Sequence, residues 1–175
     1  MQQTAISRIS VSNYHKTVVY FSLLFLSIFL PSIIHQQAIT GPLINAILLI
    51  ATMVLGSSTA LTIGLIPSVV ALSRGLLPLV LAPIVPFIML SNAVYVMVFS
   101  GLKNKNFATA VIIASVSKFA LLYFVSQYLL ATLLPQKFLS NASAMFSWPQ
   151  LITALTGGFI AYIFVRSSKN TAFSK

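Results

Sequence analysis

Between Lys16 and Lys103 the chain carries a single charge, Arg74. Few folds tolerate that. A soluble domain covers its surface with polar and charged side chains, whereas a chain crossing lipid needs stretches of about 20 apolar residues. Hydrophobic residues make up 58% of the 175 and charged residues 6%, which places the chain among polytopic membrane proteins. That length holds about six spans and no sizeable soluble domain. The expected architecture is an all-α membrane protein, a six-transmembrane-helix bundle with short, proline-kinked helices.

The lone charge sits within an unusual stretch, Ile66 to Pro86, where Ser73-Arg74-Gly75 reads as a tight turn at a membrane face. Pro67 precedes the turn; Pro78, Pro83 and Pro86 follow it. Proline removes a backbone donor and clashes one turn back, so the helices on both sides are expected to kink. In lipid such breaks persist only where protein or a cavity re-satisfies the freed carbonyls. The stretch therefore predicts a polar-lined cavity near one membrane face.

Taken in order, Met1 to Lys16 reads as a cytoplasmic segment and Thr17 to Ile34 as a retained first span, since no small-residue cleavage site follows Leu30. His35 to Gly41 is an external loop, and Pro42 suits the first turn of the second helix, ending near Leu55. Gly56 to Thr59 is a turn, and the third span covers Ala60 to Leu72. Both these spans are short, about 14 residues where roughly 20 cross without strain, so a single re-entrant hairpin is the rival reading. The fourth span runs from Leu76 to Phe99 and the fifth, the longest, from Phe107 to Leu134. Pro135 to Pro149 reads as a polar, aromatic-containing loop, followed by a sixth span from Gln150 to Val165. The transmembrane domain is thus 17–166, with a basic tail, 167–175. Six crossings put Arg8, Lys16, Lys103, Lys105, Arg166, Lys169 and Lys175 in the cytoplasm and leave only Arg74 and Lys137 outside, in line with the positive-inside rule.

What the chain lacks excludes whole classes of function. It has no cysteine and no aspartate or glutamate. Paired-carboxylate catalysis, carboxylate-bound metals and a carboxylate proton relay are out of reach. No P-loop of the GxxxxGK[ST] type is present, so the chain does not hydrolyse ATP by that route. An enzyme is not expected, nor any cofactor or metal. The net charge of +10 sits mostly at the ends of apolar runs, a topogenic pattern that does not point to nucleic acid.

Lys118 is the sharpest single residue. It stands about eleven residues into the fifth span, roughly 17 Å from its start. An ionisable group at that depth faces the bundle interior or a water-filled cavity and needs a partner. With no acid in the chain, that partner is a helix-break carbonyl, the side-chain oxygen of Asn92 at similar depth, or a ligand anion. An outer polar set comprises Asn45, Arg74, Gln127, Trp148, Gln150 and Thr153, roofed by His35 to Gln37. Gln127 lies about 180° around a straight helix from Lys118, so the two are not expected to share a pocket. Trp148 and Tyr128 also suit an interfacial aromatic belt. Ala60, Gly64 and Ser68 recur every fourth residue, which suits close packing inside the bundle or docking of a separate subunit.

With these features the chain resembles the substrate-binding S component of an energy-coupling-factor transporter, a vitamin-uptake class of ABC importer. The resemblance rests on six helices in under 200 residues, short second and third spans, and the stretch from Gly41-Pro-Leu-Ile-Asn-Ala46 through Leu72-Ser-Arg-Gly-Leu-Leu-Pro78. It implies solute binding in an outward pocket closed by external loops, and docking on a transmembrane coupling subunit attached to two ATPases. The family's alanine-xxx-alanine docking signature is absent from the first span, where Ser22, Ser27 and Pro31 stand; Ala60, Gly64 and Ser68 are the substitute. The expected function is capture of a small polar solute, neutral or anionic, of the micronutrient kind. The runner-up is a non-catalytic structural or assembly subunit of a larger membrane complex.

Overall fold

The computed structural model describes residues 13–172, and every regular element among them is helical. Arg8, Lys175 and most of the N-terminal segment lie outside the described residues. Helices α1 (Asn13–Ile33), α2 (Gln37–Val54), α3 (Ser57–Ser73), α4 (Val85–Leu102) and α5 (Phe107–Phe124) follow one another through short connections. A five-residue π-helical segment, Val125–Leu129, and the single turn α6 (Leu130–Leu133) prolong α5. Helix α7 (Gln136–Met145) and the long α8 (Trp148–Ala172) complete the chain. Five helical stretches are long and apolar enough to cross a membrane, and α3, at 17 residues, is an apolar helix just below that length.

Helix α2 is the most enclosed element because it has no polar face. Its positions from Ile44 to Thr52 are buried without interruption, as expected of a helix apolar on all sides. It packs against α1, α3, α4 and α8, while α5 closes the bundle between α4 and α8. Helix α1 lies at the edge and turns Phe21, Phe25 and Phe29 outward.

The α2–α8 contact is close because glycine lines it. A Cβ on Gly157 would fall 2.7 Å from the Pro42 carbonyl oxygen and 2.9 Å from the Ala46 nitrogen, both backbone atoms that cannot yield. A Cβ on the neighbouring Gly158 would collide with Val111 of α5. These two residues wedge α8 between α2 and α5.

Several boundaries differ from the sequence expectation, each for a local reason. Helix α2 begins at Gln37 rather than Pro42, because the Thr40 hydroxyl bonds the Ile34 carbonyl at 2.9 Å and tightens the entry. It is therefore 18 residues long and not short. Gly56, at φ +98°, makes the α2–α3 break alone, and Ser57 is already helical. The Ser73-Arg74-Gly75 turn forms as expected, with Gly75 at φ +79°. The span from Leu76 is not one α-helix. After Pro78 the chain makes a 3₁₀ helix, Leu79–Ile84, and α4 starts at Val85 with proline in its first turn, where no intrahelical donor is missed. The expected loop 135–149 is mostly α7, whose Phe138, Leu139, Ala142, Met145 and Phe146 recur at three- and four-residue spacing.

The small-residue stripe is turned inward. Ala60, Gly64 and Ser68 are all buried, and Gly64 faces Leu48 of α2 and Asn92 of α4. Within this chain the stripe packs internally, with Gly64 closest to α2 and α4.

Gly157→Ala should lower stability by about 1–3 kcal/mol through overpacking. Gly101→Ala, whose Cβ meets nothing in α4, should raise it by about 0.5–1 kcal/mol through backbone entropy. Thermal unfolding of both variants in one detergent checks the pair; equal midpoints would show that α8 does not rest on α2 at Gly157.

Candidate functional site

Buried positions on α5 fall at Ala110, Val111, Ala114, Ser115, Lys118 and Leu122, a three- and four-residue repeat. Lys118 therefore lies on the inward face and is only 4% exposed. Its Nζ donates to Asn45 Oδ1 of α2 at 2.6 Å and to Asn92 Oδ1 of α4 at 2.8 Å. It also stands over the ring of Tyr95, 5.3 Å from the centroid, within cation–π range. Lysine only donates, so both amide oxygens must face it. The Asn92 amide nitrogen is then turned to the Gly64 carbonyl of α3, at 2.9 Å. The Tyr95 hydroxyl donates to the Ala154 carbonyl of α8, also at 2.9 Å. Directly, or through Asn92 and Tyr95, the lysine thus links α5 to groups from four other helices.

The energetics explain why so many groups converge. Removing an ammonium from water costs several kcal/mol even after relaxation. Each hydrogen bond to a charged group returns about 1.5–3 kcal/mol, and a cation–π contact about 0.5–2 kcal/mol. Neutral amides and a ring can roughly offset the burial of the cation. They do not neutralise its charge, and the chain has no aspartate or glutamate side chain to do so.

Lys118, Asn45 and Asn92 border a cavity of about 100 Å³. Pro31 of α1, Thr40, Gly41 and Ile44 of α2, and Pro67, Ser68 and Ala71 of α3 form one side. Ile88 of α4, Met145 and Phe146 beside the end of α7, and Gln150 of α8 form the other, with Gln37, Leu76 and Leu77 toward the loops. By volume it holds about three waters. Gln150 Nε2 bonds the Met145 carbonyl at 3.1 Å and so ties α7 over this end. His35 Nε2 stands 3.1 Å from the Arg74 carbonyl and joins the two loops beside it.

Ser68 is the one odd member. Its Oγ is buried and has no hydrogen-bond partner. A helical serine ordinarily bonds back to the carbonyl four residues earlier. Here that carbonyl belongs to Gly64 and already accepts from Asn92.

Of the residues singled out in the sequence, the fold brings Asn45, Asn92, Lys118 and Gln150 to one cavity and leaves four outside it. The Arg74 residue is exposed and absent from the lining. Gln127 is exposed in the π-helical segment, where its Nε2 stands 3.5 Å from Ser126 Oγ. Trp148 is 65% exposed and stacked on Phe119 at 5.3 Å, an aromatic surface rather than a cavity wall. Thr153 is buried against Gly41 instead of lining the cavity. Sequence reasoning missed Met145 and Phe146, for which the helical spacing of α7 was the available signal, and it read Ser68 as a packing or docking residue rather than as part of the cavity lining. Among the described residues no group of three histidines or acids stands where a metal could bind. No protein-family model matches the chain, and no curated protein or solved structure is significantly similar to it.

Asn92→Ala removes both the acceptor for Lys118 and the donor to Gly64, and should destabilise by about 1.5–3 kcal/mol. Tyr95→Phe keeps the ring under Lys118 and loses only the bond to Ala154, so about 0.5–1.5 kcal/mol is expected. Chemical denaturation in mixed micelles separates them; a larger effect for Tyr95→Phe would argue against the lysine as the organising contact.

Proposed function

We propose that this chain is a solute-capture membrane subunit, binding a small polar molecule, neutral or anionic, in the cavity around Lys118. A separate partner supplies the energy for transport. One observation carries the reading: a buried cation with only neutral partners, on a cavity that also holds the unpartnered hydroxyl of Ser68. A purely structural subunit gains nothing from keeping such a costly group beside empty volume. The lack of any acidic residue and of a P-loop supports dependence on a partner, since the chain has no proton relay or nucleotide site of its own. The resemblance to S components supplies the nature of that partner, a transmembrane coupling subunit with two ATPases.

The proposed setting is a bacterial or archaeal inner membrane crossed six times, with both termini cytoplasmic. Lys103 supports this orientation, since its Nζ bonds the Thr52 carbonyl at 2.8 Å near the C-terminal end of α2, opposite the cavity mouth. The mouth, bordered by the His35 loop, the Arg74 turn and α7, then faces outward.

Native mass spectrometry of the purified chain tests capture. A small-molecule adduct that disappears in Lys118→Met is the expected result. An empty protein in every preparation, with no stabilisation by any solute, would instead favour a structural subunit of a larger complex. Reporters fused after Ser140 and after Lys175 should report opposite sides of the membrane; identical sidedness would sink the six-span arrangement.

A further inference from the structure

We propose that the cavity selects a small organic monocarboxylate, held head-first at Lys118 with its apolar part against the cavity wall. The inference rests on the capture reading and narrows it to one class of ligand. Three observations carry it, and the first is charge.

Lys118 is buried beside two amide oxygens, and the sequence contains no aspartate or glutamate to balance it. A bound group with one negative charge balances one ammonium; a dianion would leave an excess charge buried in turn. Donor geometry is the second. Lys118 commits two of its three N–H groups to Asn45 and Asn92, which leaves one for a ligand. Ser68 Oγ, buried on the same cavity with no partner, offers a second donor. A carboxylate has two acceptor oxygens for these two donors.

The third is the shape and chemistry of the walls. Ile44, Ile88 and Phe146 border the cavity and give an apolar body somewhere to lie. At about 100 Å³, room for about three waters, the cavity suits a short-chain acid. A halide ion would leave those walls unfilled.

The test uses the full chain in detergent at neutral pH and constant ionic strength, read by thermal unfolding and isothermal titration. Acetate and butyrate are compared with acetamide, butyramide and butylammonium, with chloride and phosphate as inorganic controls. The acids should raise the unfolding midpoint and titrate with one site; the amides and the amine should not. Lys118→Met should weaken binding about tenfold or more through loss of a charge-assisted bond. Asn45→Asp supplies an internal counter-ion at nearly constant shape. It should remove acid binding while the protein stays folded. Ser68→Ala should weaken binding several-fold.

Amides binding as tightly as acids would overturn charge recognition and leave capture standing. Chloride or phosphate matching the acids would overturn the organic ligand in favour of a general anion site. Acid binding that persists undiminished in Asn45→Asp would place the ligand elsewhere. If no probe binds and native mass spectra also show no adduct, both this inference and the capture reading fall.

Discussion

A single ammonium group, Lys118 Nζ, sits where the helices converge and has only amide oxygens and a tyrosine ring to hold it. Much of the bundle's arrangement answers to that one constraint. A cation in an apolar interior must collect dipoles from whatever helices surround it. Asn45 and Asn92 give their oxygens to the lysine, and Asn92 passes its nitrogen on to Gly64. The result is a small polar layer. Along α3, α4 and α5 it falls between two apolar clusters, one around Leu48, Ile63 and Phe99 and the other around Leu77, Ile84 and Phe146.

The layer exists only because the backbones come close. Asn45 is a short side chain, and α2 is held near α5 by α8, which is wedged between them at Gly157 and Gly158. Without hydrophobic pressure between helices in lipid, such close approach supplies the packing that holds a bundle together. Gly64 does the same between α3 and its neighbours, which is why the Asn92 amide reaches its carbonyl. Small residues here set the distances over which the polar contacts become feasible.

The breaks in the helices serve the same site from the other side. The 3₁₀ stretch after Pro78, the turn α6 that follows the π-helical segment, and α7 all contribute to the second apolar cluster. A π segment widens the helix and shifts the register beyond it. Even so, the straight-helix projection kept Gln127 apart from Lys118, and Gln127 is exposed and absent from the cavity lining. Broken backbone at this depth is tolerated where protein covers it or a cavity lies beside it, and here both hold.

The sequence by itself determined the helical class, because a chain with one charge between Lys16 and Lys103 must satisfy its backbone internally if it is to lie in lipid. It also determined that Lys118 would need partners, that Asn92 would lie at its depth, and that Arg74 and Gly75 would form a turn, since these depend on rise per residue and local backbone preference. Only the tertiary structure decided which polar residues meet. Asn45 joined Lys118 because α2 is the central helix, a matter of packing order that no helical repeat encodes. Arg74 and Trp148 stayed outside the cavity because the direction of a side chain at a turn or helix start depends on how that element docks. Ala60, Gly64 and Ser68 turned inward because α2 and α4 fill that face; four-residue spacing alone states that a close neighbour exists, without saying whether it belongs to the same chain.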